Sequence, residues 1–489
     1  MKRILLLSIC VAVFCPRLSA QNDPIARYEA FRQQAIQRYA DFREKANAEY
    51  AEFMREAWEW YKGERPMPKP EPEIPEVPPV VMPEEDRDKT PAPNPQPYDE
   101  VVPKPEPKPE PKPVAPIEEK TRPVEDWVNV AIYGTNCKVR FNTAGKAFLS
   151  STNESATADL WEQFAESNDN LVYDCLAARQ RMELCDWAYV TLAERVADKI
   201  YGNAHPDEKA LLQAYILCQS GFRLHIARSE DKRLHMLIAA DAIMYNRAYW
   251  KFDDGNYYMI DNSNAERLAI FTQTFPEDQP MRLAITSEQK FAERPSAIRQ
   301  LQSRRYKVQA AVANNENLIQ FYNEYPESYA NNDPLTKWRF YAQTPMCETV
   351  KKQLYPTLRN AISGKSEAEA ANILDDFVQT AFVYEYDDKV WGRDRAFFAE
   401  ETLYYPYSDC EDRSILFSRL VRDLLGLDVV LVYYPGHLAT AVHFNENVPG
   451  DYITVNGKRY LICDPTYIGA PIGTTMPKMD NSTAKVIML

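Results

Sequence analysis

The sequence reads as an α+β protein whose helices and strands are gathered in blocks rather than alternating. Three observations carry that reading. Residues 156–228 hold apolar side chains at helical spacing, with Leu192, Val196 and Ile200 followed by Leu211, Leu212, Tyr215 and Ile216. After Val429 come short β-forming runs joined by turn residues, among them Asn456-Gly457, a strong hairpin signal. Between them and an N-terminal helical stretch lies a proline-dense segment that no helix or central strand tolerates. The blocks divide as 1–20, 21–63, 64–123, 124–340 and 341–489.

Residues 1–20 have the layout of a secretory signal. Lys2 and Arg3 precede an apolar run from Ile4 to Phe14, and Leu18-Ser19-Ala20 is a small-residue cleavage site. Cys10 and Cys15 lie inside it without the small preceding residue of a lipoprotein site, so lipid anchoring is disfavoured. No later run reaches the length of a transmembrane helix, which predicts a soluble protein that is periplasmic, outer-surface or secreted. The formal charge of −14 becomes −17 once Lys2, Arg3 and Arg17 leave with the signal. So acidic a chain argues against nucleic acid or anionic lipid as its partner. Seven cysteines remain (137, 175, 185, 218, 347, 410 and 463), and the odd count leaves at least one thiol unpaired.

Residues 24–62 repeat with a period of 11: PIARYEAFRQQ, AIQRYADFREK and ANAEYAEFMRE align without gaps, and AWEWYK begins a fourth block. Tyr28, Tyr39, Tyr50 and Tyr61 share one position, and Phe31, Phe42 and Phe53 another. The spacing keeps them on one face at about 3.67 residues per turn. It predicts a helix roughly 60 Å long at about 1.5 Å per residue, begun at Pro24 and ended at Gly63. Its aromatic stripe should pair with itself, with another protein or with a surface. Next, 20 of the 36 prolines fall between Pro66 and Pro123, interleaved with Lys and Glu. That composition predicts a solvated polyproline II spacer holding the helix apart from the rest of the chain.

The folded part begins near Trp127 with a hairpin around Gly134-Thr135-Asn136. Helices come next, then a mixture of strands and turns that includes Tyr257–Ile260 and Met281–Ile285. His205, His225 and His235 lack metal-ligand spacing and read as surface or packing residues.

The chemistry concentrates in residues 400–444. Ile415, Leu416, Phe417, Leu420, Val421, Leu424 and Leu425 recur at helical spacing, so Cys410 stands at a helix N-terminus, where the dipole favours thiolate. Val429–Tyr434 is a strand, Pro435-Gly436 turns the chain, and His437 opens the next strand. A hairpin through Asn456-Gly457 then ends at Asp464-Pro465-Thr466. A helix presenting Cys beside strands presenting His and Asp suits a thiol acyl-transfer site, in which imidazole takes the proton and carboxylate fixes the tautomer. His443 lies six residues beyond His437 on the same face of the strand and competes for the imidazole role. A structural Cys410–Cys463 pairing is the bland alternative for the thiol.

This block resembles the transglutaminase-like core of bacterial and archaeal proteins, whose nucleophile motif reads roughly G-D-C-E/D-D-K/R-S/A. Here it is Ser408-Asp409-Cys410-Glu411-Asp412-Arg413-Ser414, with Gly436-His437 and Asp464-Pro465-Thr466 in the places of the family's His and Asp. Glu400-Glu401-Thr402-Leu403 looks like the usual lead-in to the Cys motif. The likeness covers about 365 to 475. It departs from the pattern at Ser408, where the family has Gly, at Leu438-Ala439 after His437, and in the lack of an obvious Gln as second oxyanion donor.

The resemblance implies a papain-like α+β core, a cysteine helix packed on an antiparallel sheet, with Cys410, His437 and Asp464 as catalytic triad. It implies no metal and no organic cofactor. The implied activity is hydrolysis of amide bonds in proteins or peptides by an exported cysteine protease or amidase. The alternatives are a scaffold protein that keeps the fold with weak or no catalysis, and a true glutamine cross-linking transglutaminase.

Overall fold

The computed structural model describes residues 24–70, 80–87, 95–96, 101–122, 125–261 and 263–489. The expected signal segment, with Cys10 and Cys15, lies outside them. The fold is mixed α+β, and no described helix is long and apolar enough to cross a membrane.

The N-terminal helix spans Pro24–Met54 and stops short of the predicted end. Trp58 explains the stop: its indole N–H donates to the Met54 carbonyl at 3.0 Å, closing the helix end. The fourth repeat block then leaves the helix, and Glu59–Lys62 pairs antiparallel with Arg267–Phe271. The helix is not held apart from the body. Its last turns bury Ala46, Tyr50, Ala51 and Met54, Arg43 pairs with Asp169 at 2.7 Å, and Asn47 bonds Gln219 at 3.1 Å. Tyr50 inserts between Trp161, Phe271 and Phe275. Tyr28, Phe31, Tyr39 and Phe42 stay exposed. The stripe is therefore split: Tyr50 enters the core, while Phe53 of the same repeat stays exposed like Phe31 and Phe42.

The proline-rich segment also differs from a free spacer. Apart from the single 3-10 turn Glu84–Asp86 its described stretches are extended, as proline demands, but it lies against the body. Val101–Val102 and Pro95–Gln96 each add a short parallel strand to the edge of a sheet. Met82 packs with Tyr467, Ala470 and Met476, and Glu110 pairs with Arg282 at 2.7 Å. A strand edge offers unpaired N–H and C=O groups, and an extended strap satisfies them.

Two sheets organise the rest. One is six-stranded and antiparallel, in the order Glu59–Lys62, Arg267–Phe271, Leu224–Ser229, Leu234–Ala240, Gly255–Met259, Tyr249–Phe252. Helices Glu154–Ser167, Asp169–Met182, Asp186–Tyr201 and Pro206–Gln219 fill most of the range 156–228 expected to be helical, but its end departs from that reading, since Leu224–Ser229 is a strand of this sheet. Met281–Ile285 is extended but joins no ladder beyond a single bridge from Met281 to Ala240. The Arg282 and Leu283 N–H groups donate instead to the carboxylates of Asp186 and Asp241.

The second sheet has seven strands, in the order Pro95–Gln96, Tyr452–Val455, Lys458–Cys463, His437–His443, Asp428–Tyr434, Lys485–Met488, Val101–Val102. The five between its short edge strands run antiparallel. Asn456 and Gly457 have φ of 50° and 77°, the left-handed pair that a two-residue hairpin turn requires. Against this sheet packs the helix Cys410–Leu425, ended by Gly426 at φ 68°.

Candidate active site

Cys410 is the first residue of its helix, His437 the first of its strand, and Asp464 comes directly after the strand Lys458–Cys463. All three are buried. His437 Nε2 lies 2.9 Å from Asp464 Oδ2, which leaves Nδ1 as the ring nitrogen for another partner. The other Asp464 oxygen accepts the Thr466 N–H at 2.9 Å, a turn that Pro465 pre-sets. Cys410 and His437 line one cavity of about 150 Å³, together with Trp338, Asp409 and Glu411.

Leu438 ties helix to strand. Its carbonyl accepts the Ser414 hydroxyl at 2.8 Å, and its backbone pulls the Cys410 thiol pKa down against the larger upward causes. The residue after His437 is thus pinned to the first turns of the cysteine helix. His443 sits at the far end of the strand, with Nδ1 against the Arg459 carbonyl at 2.8 Å, and is not on the cavity wall. Cys463 is buried with its sulfur near the Leu461 carbonyl, and all seven described cysteines are free thiols.

The electrostatics differ from the sequence reading at Cys410. Burial, then Glu411 and Asp409, push the thiol well above its ordinary range. Two carboxylates beside the sulfur outweigh the partial charge of a helix end. Glu411 Oε2 is 3.4 Å from the sulfur. At rest the site holds thiol, and a base is needed to take its proton.

Several supporting residues were not visible in the sequence. Arg413, fully buried, donates to the carbonyls of Gln379 and Phe382 at 3.1 Å and reaches Ser408 Oγ at 3.3 Å. Ser408, where the motif has Gly, thus serves as a hydrogen-bond partner. Gln379 donates to the carbonyls of Asp464 and Ala470, both at 3.1 Å, and accepts the Gly469 N–H. It sets the backbone that carries Asp464. Trp338 brings a buried indole N–H that finds no acceptor among the described residues. Both lie more than 70 residues from their partners in the triad, beyond any local signal.

An acidic cluster surrounds the helix start. Asp387, Asp409 and Asp412 bring oxygens within 4.8 Å of one another, as do Asp387, Asp394 and Glu411. These are hard oxygen donors of the kind calcium or magnesium takes. Lys337 pairs with Asp394 at 3.1 Å, and Lys69 approaches it at 3.6 Å. Burial, then Glu411, push Asp387 up to about 8.

The other histidines pack as expected. His225 stacks on Tyr257. His235 spans Asp261 and Ser229 at 2.8 and 3.0 Å, but the Ser229 hydroxyl is buried, turned to Asp231 and the Arg233 carbonyl, and holds a turn. Compared with known proteins, the chain matches no family model, no curated protein and no solved structure.

Proposed function

We propose that this chain is a cysteine-dependent acyl-transfer enzyme of the transglutaminase-like, papain-like kind, hydrolysing amide bonds of proteins or peptides. The observation that carries the reading is the buried His437–Asp464 pair, which opens on the same cavity as a cysteine at a helix N-terminus. Cys410 attacks the amide carbonyl, His437 takes its proton and later returns it to the leaving amine, and Asp464 holds the imidazole. The Cys410 backbone N–H and the unpaired Trp338 indole are the candidate donors to the oxyanion. An extracytoplasmic site of action rests on residues 1–20 alone.

A second reading is a scaffold that keeps the fold. It is favoured by the upward push on the Cys410 thiol and by the exposed aromatics Tyr28, Phe31, Tyr39 and Phe42. A brief pulse of iodoacetamide near neutral pH, read by mass spectrometry, separates the two. The enzyme requires selective alkylation of Cys410 that is lost in His437→Ala and kept in His443→Ala. A Cys410 no more reactive than the other six thiols rejects it.

A further inference from the structure

A second cavity adjoins the one that holds Cys410. It measures about 910 Å³ and lies where the chain Lys62–Lys69 passes Tyr245–Trp250, Tyr322–Glu327 and Arg393–Ala396. Tyr245 belongs to its wall and also to the wall of the Cys410 cavity. The strap runs from one to the other, with Lys69 on the first and Pro70 on the second. The two spaces are neighbours.

Its wall carries six cations and six carboxylates, and what decides its preference is which of them are left unpaired facing it. Arg247 is half-buried with its guanidinium over the Trp187 ring at 5.2 Å. Among the described residues no carboxylate reaches ion-pair distance of it, and burial pulls its pKa down. The Trp250 indole N–H and the Tyr245 hydroxyl are buried on the same wall without partners. Of the other cations there, Lys69 is matched by Glu327 and Asp394 and Arg395 by Glu401, Arg393 lies 3.8 Å from Glu327, and Lys62 is exposed. The wall's acids are occupied or solvated. Glu324 accepts the Tyr133 hydroxyl, Asp261 holds His235, and Glu64 and Glu266 are exposed. Arg65 stands exposed at the rim, also without an ion pair among the described residues.

A half-buried guanidinium over an indole ring, with no carboxylate at ion-pair distance, is suited to take a carboxylate from a ligand. A space of this size admits several residues of a peptide. We propose that this cavity is a carboxylate-recognising subsite, in which Arg247 anchors an acidic side chain of the polypeptide whose amide reaches Cys410. Its role as a substrate subsite rests on the amide-hydrolase reading; its ability to bind does not.

The test is equilibrium binding by fluorescence anisotropy, using the full chain carrying Cys410→Ala and labelled, C-terminally amidated hexaglutamate or hexaglutamine at physiological salt. Hexaglutamate is expected to bind about tenfold more tightly, the worth of one charge-assisted contact. Arg247→Gln should remove that preference and leave hexaglutamine binding unchanged. Arg65→Gln, at an exposed position that cannot disturb folding, should weaken hexaglutamate about threefold through screened attraction. Equal affinity for the two peptides overturns the subsite, as does a preference that survives both substitutions. Because Cys410 is absent from the assay, failure here is separate from failure of the alkylation test.

Discussion

Cys410 is surrounded by groups that hold its proton, and that makes its activation testable one side chain at a time. Glu411 comes after burial as the leading cause of the raised thiol pKa. Glu411→Gln removes the nearer negative charge, so the pH profile of Cys410 alkylation is expected to move to lower pH; an unmoved or upward-moved profile rejects that account. Trp338→Phe keeps an aromatic ring beside Tyr433 and removes the unpaired indole N–H together with one ring of the bicycle. If that N–H meets the oxyanion, kcat on an amide substrate falls about 10²-fold with KM nearly unchanged. A change in KM alone places Trp338 in binding. At this scale Cys410, His437 and Asp464 were legible because motif residues sit at element ends, which turn chemistry announces. Gln379 and Trp338 were not, since nothing near them in the chain marks the cavity or the backbone they serve.

The N-terminal helix shows what a repeat can and cannot say. Its period predicts a face, and the face exists, but burial is decided by where the body lies. Tyr50 is buried with a hydroxyl that finds no partner, while Tyr39 is exposed. Tyr50→Phe removes an unsatisfied buried hydroxyl and should raise stability by about 1 kcal/mol; Tyr39→Phe should leave it within about 0.5 kcal/mol. Chemical denaturation of both variants checks the pair, and a Tyr50→Phe protein less stable than wild type shows that the hydroxyl is satisfied. The proline-rich segment shows the same division. Its extended conformation is set by ring geometry, whereas its seat on two sheet edges depends on strands hundreds of residues away.

Across the whole molecule, buried carboxyls with raised pKa set the pH response. Burial is the first cause in each: Asp186 rises to about 6, Glu400 and Glu401 to about 7, and Asp387 to about 8. The fold shifts these groups toward the protonated form, while the unfolded chain ionises them above about pH 4. Unfolding therefore releases protons, and the stability they support is present below that pH and lost as pH rises through 6 to 8. Tm is expected to be lower at pH 8.5 than at pH 5.5. Glu400→Gln should flatten the decline by up to about 3 kcal/mol, and a Tm that rises with pH over this range contradicts the mechanism.

The sequence by itself determined the α+β class, the helix behind Cys410, the hairpin through Asn456-Gly457 and the three residues proposed as a triad. Each comes from periodicity or turn chemistry acting over a few residues. The tertiary structure alone decided that His437 rather than His443 faces the thiol's cavity, since strand alternation puts both on one face and only the packed helix chooses between the ends. It also decided that the thiol is pushed up rather than down. A helix dipole is a local property, but the carboxylates and burial that outweigh it exist only once distant segments meet.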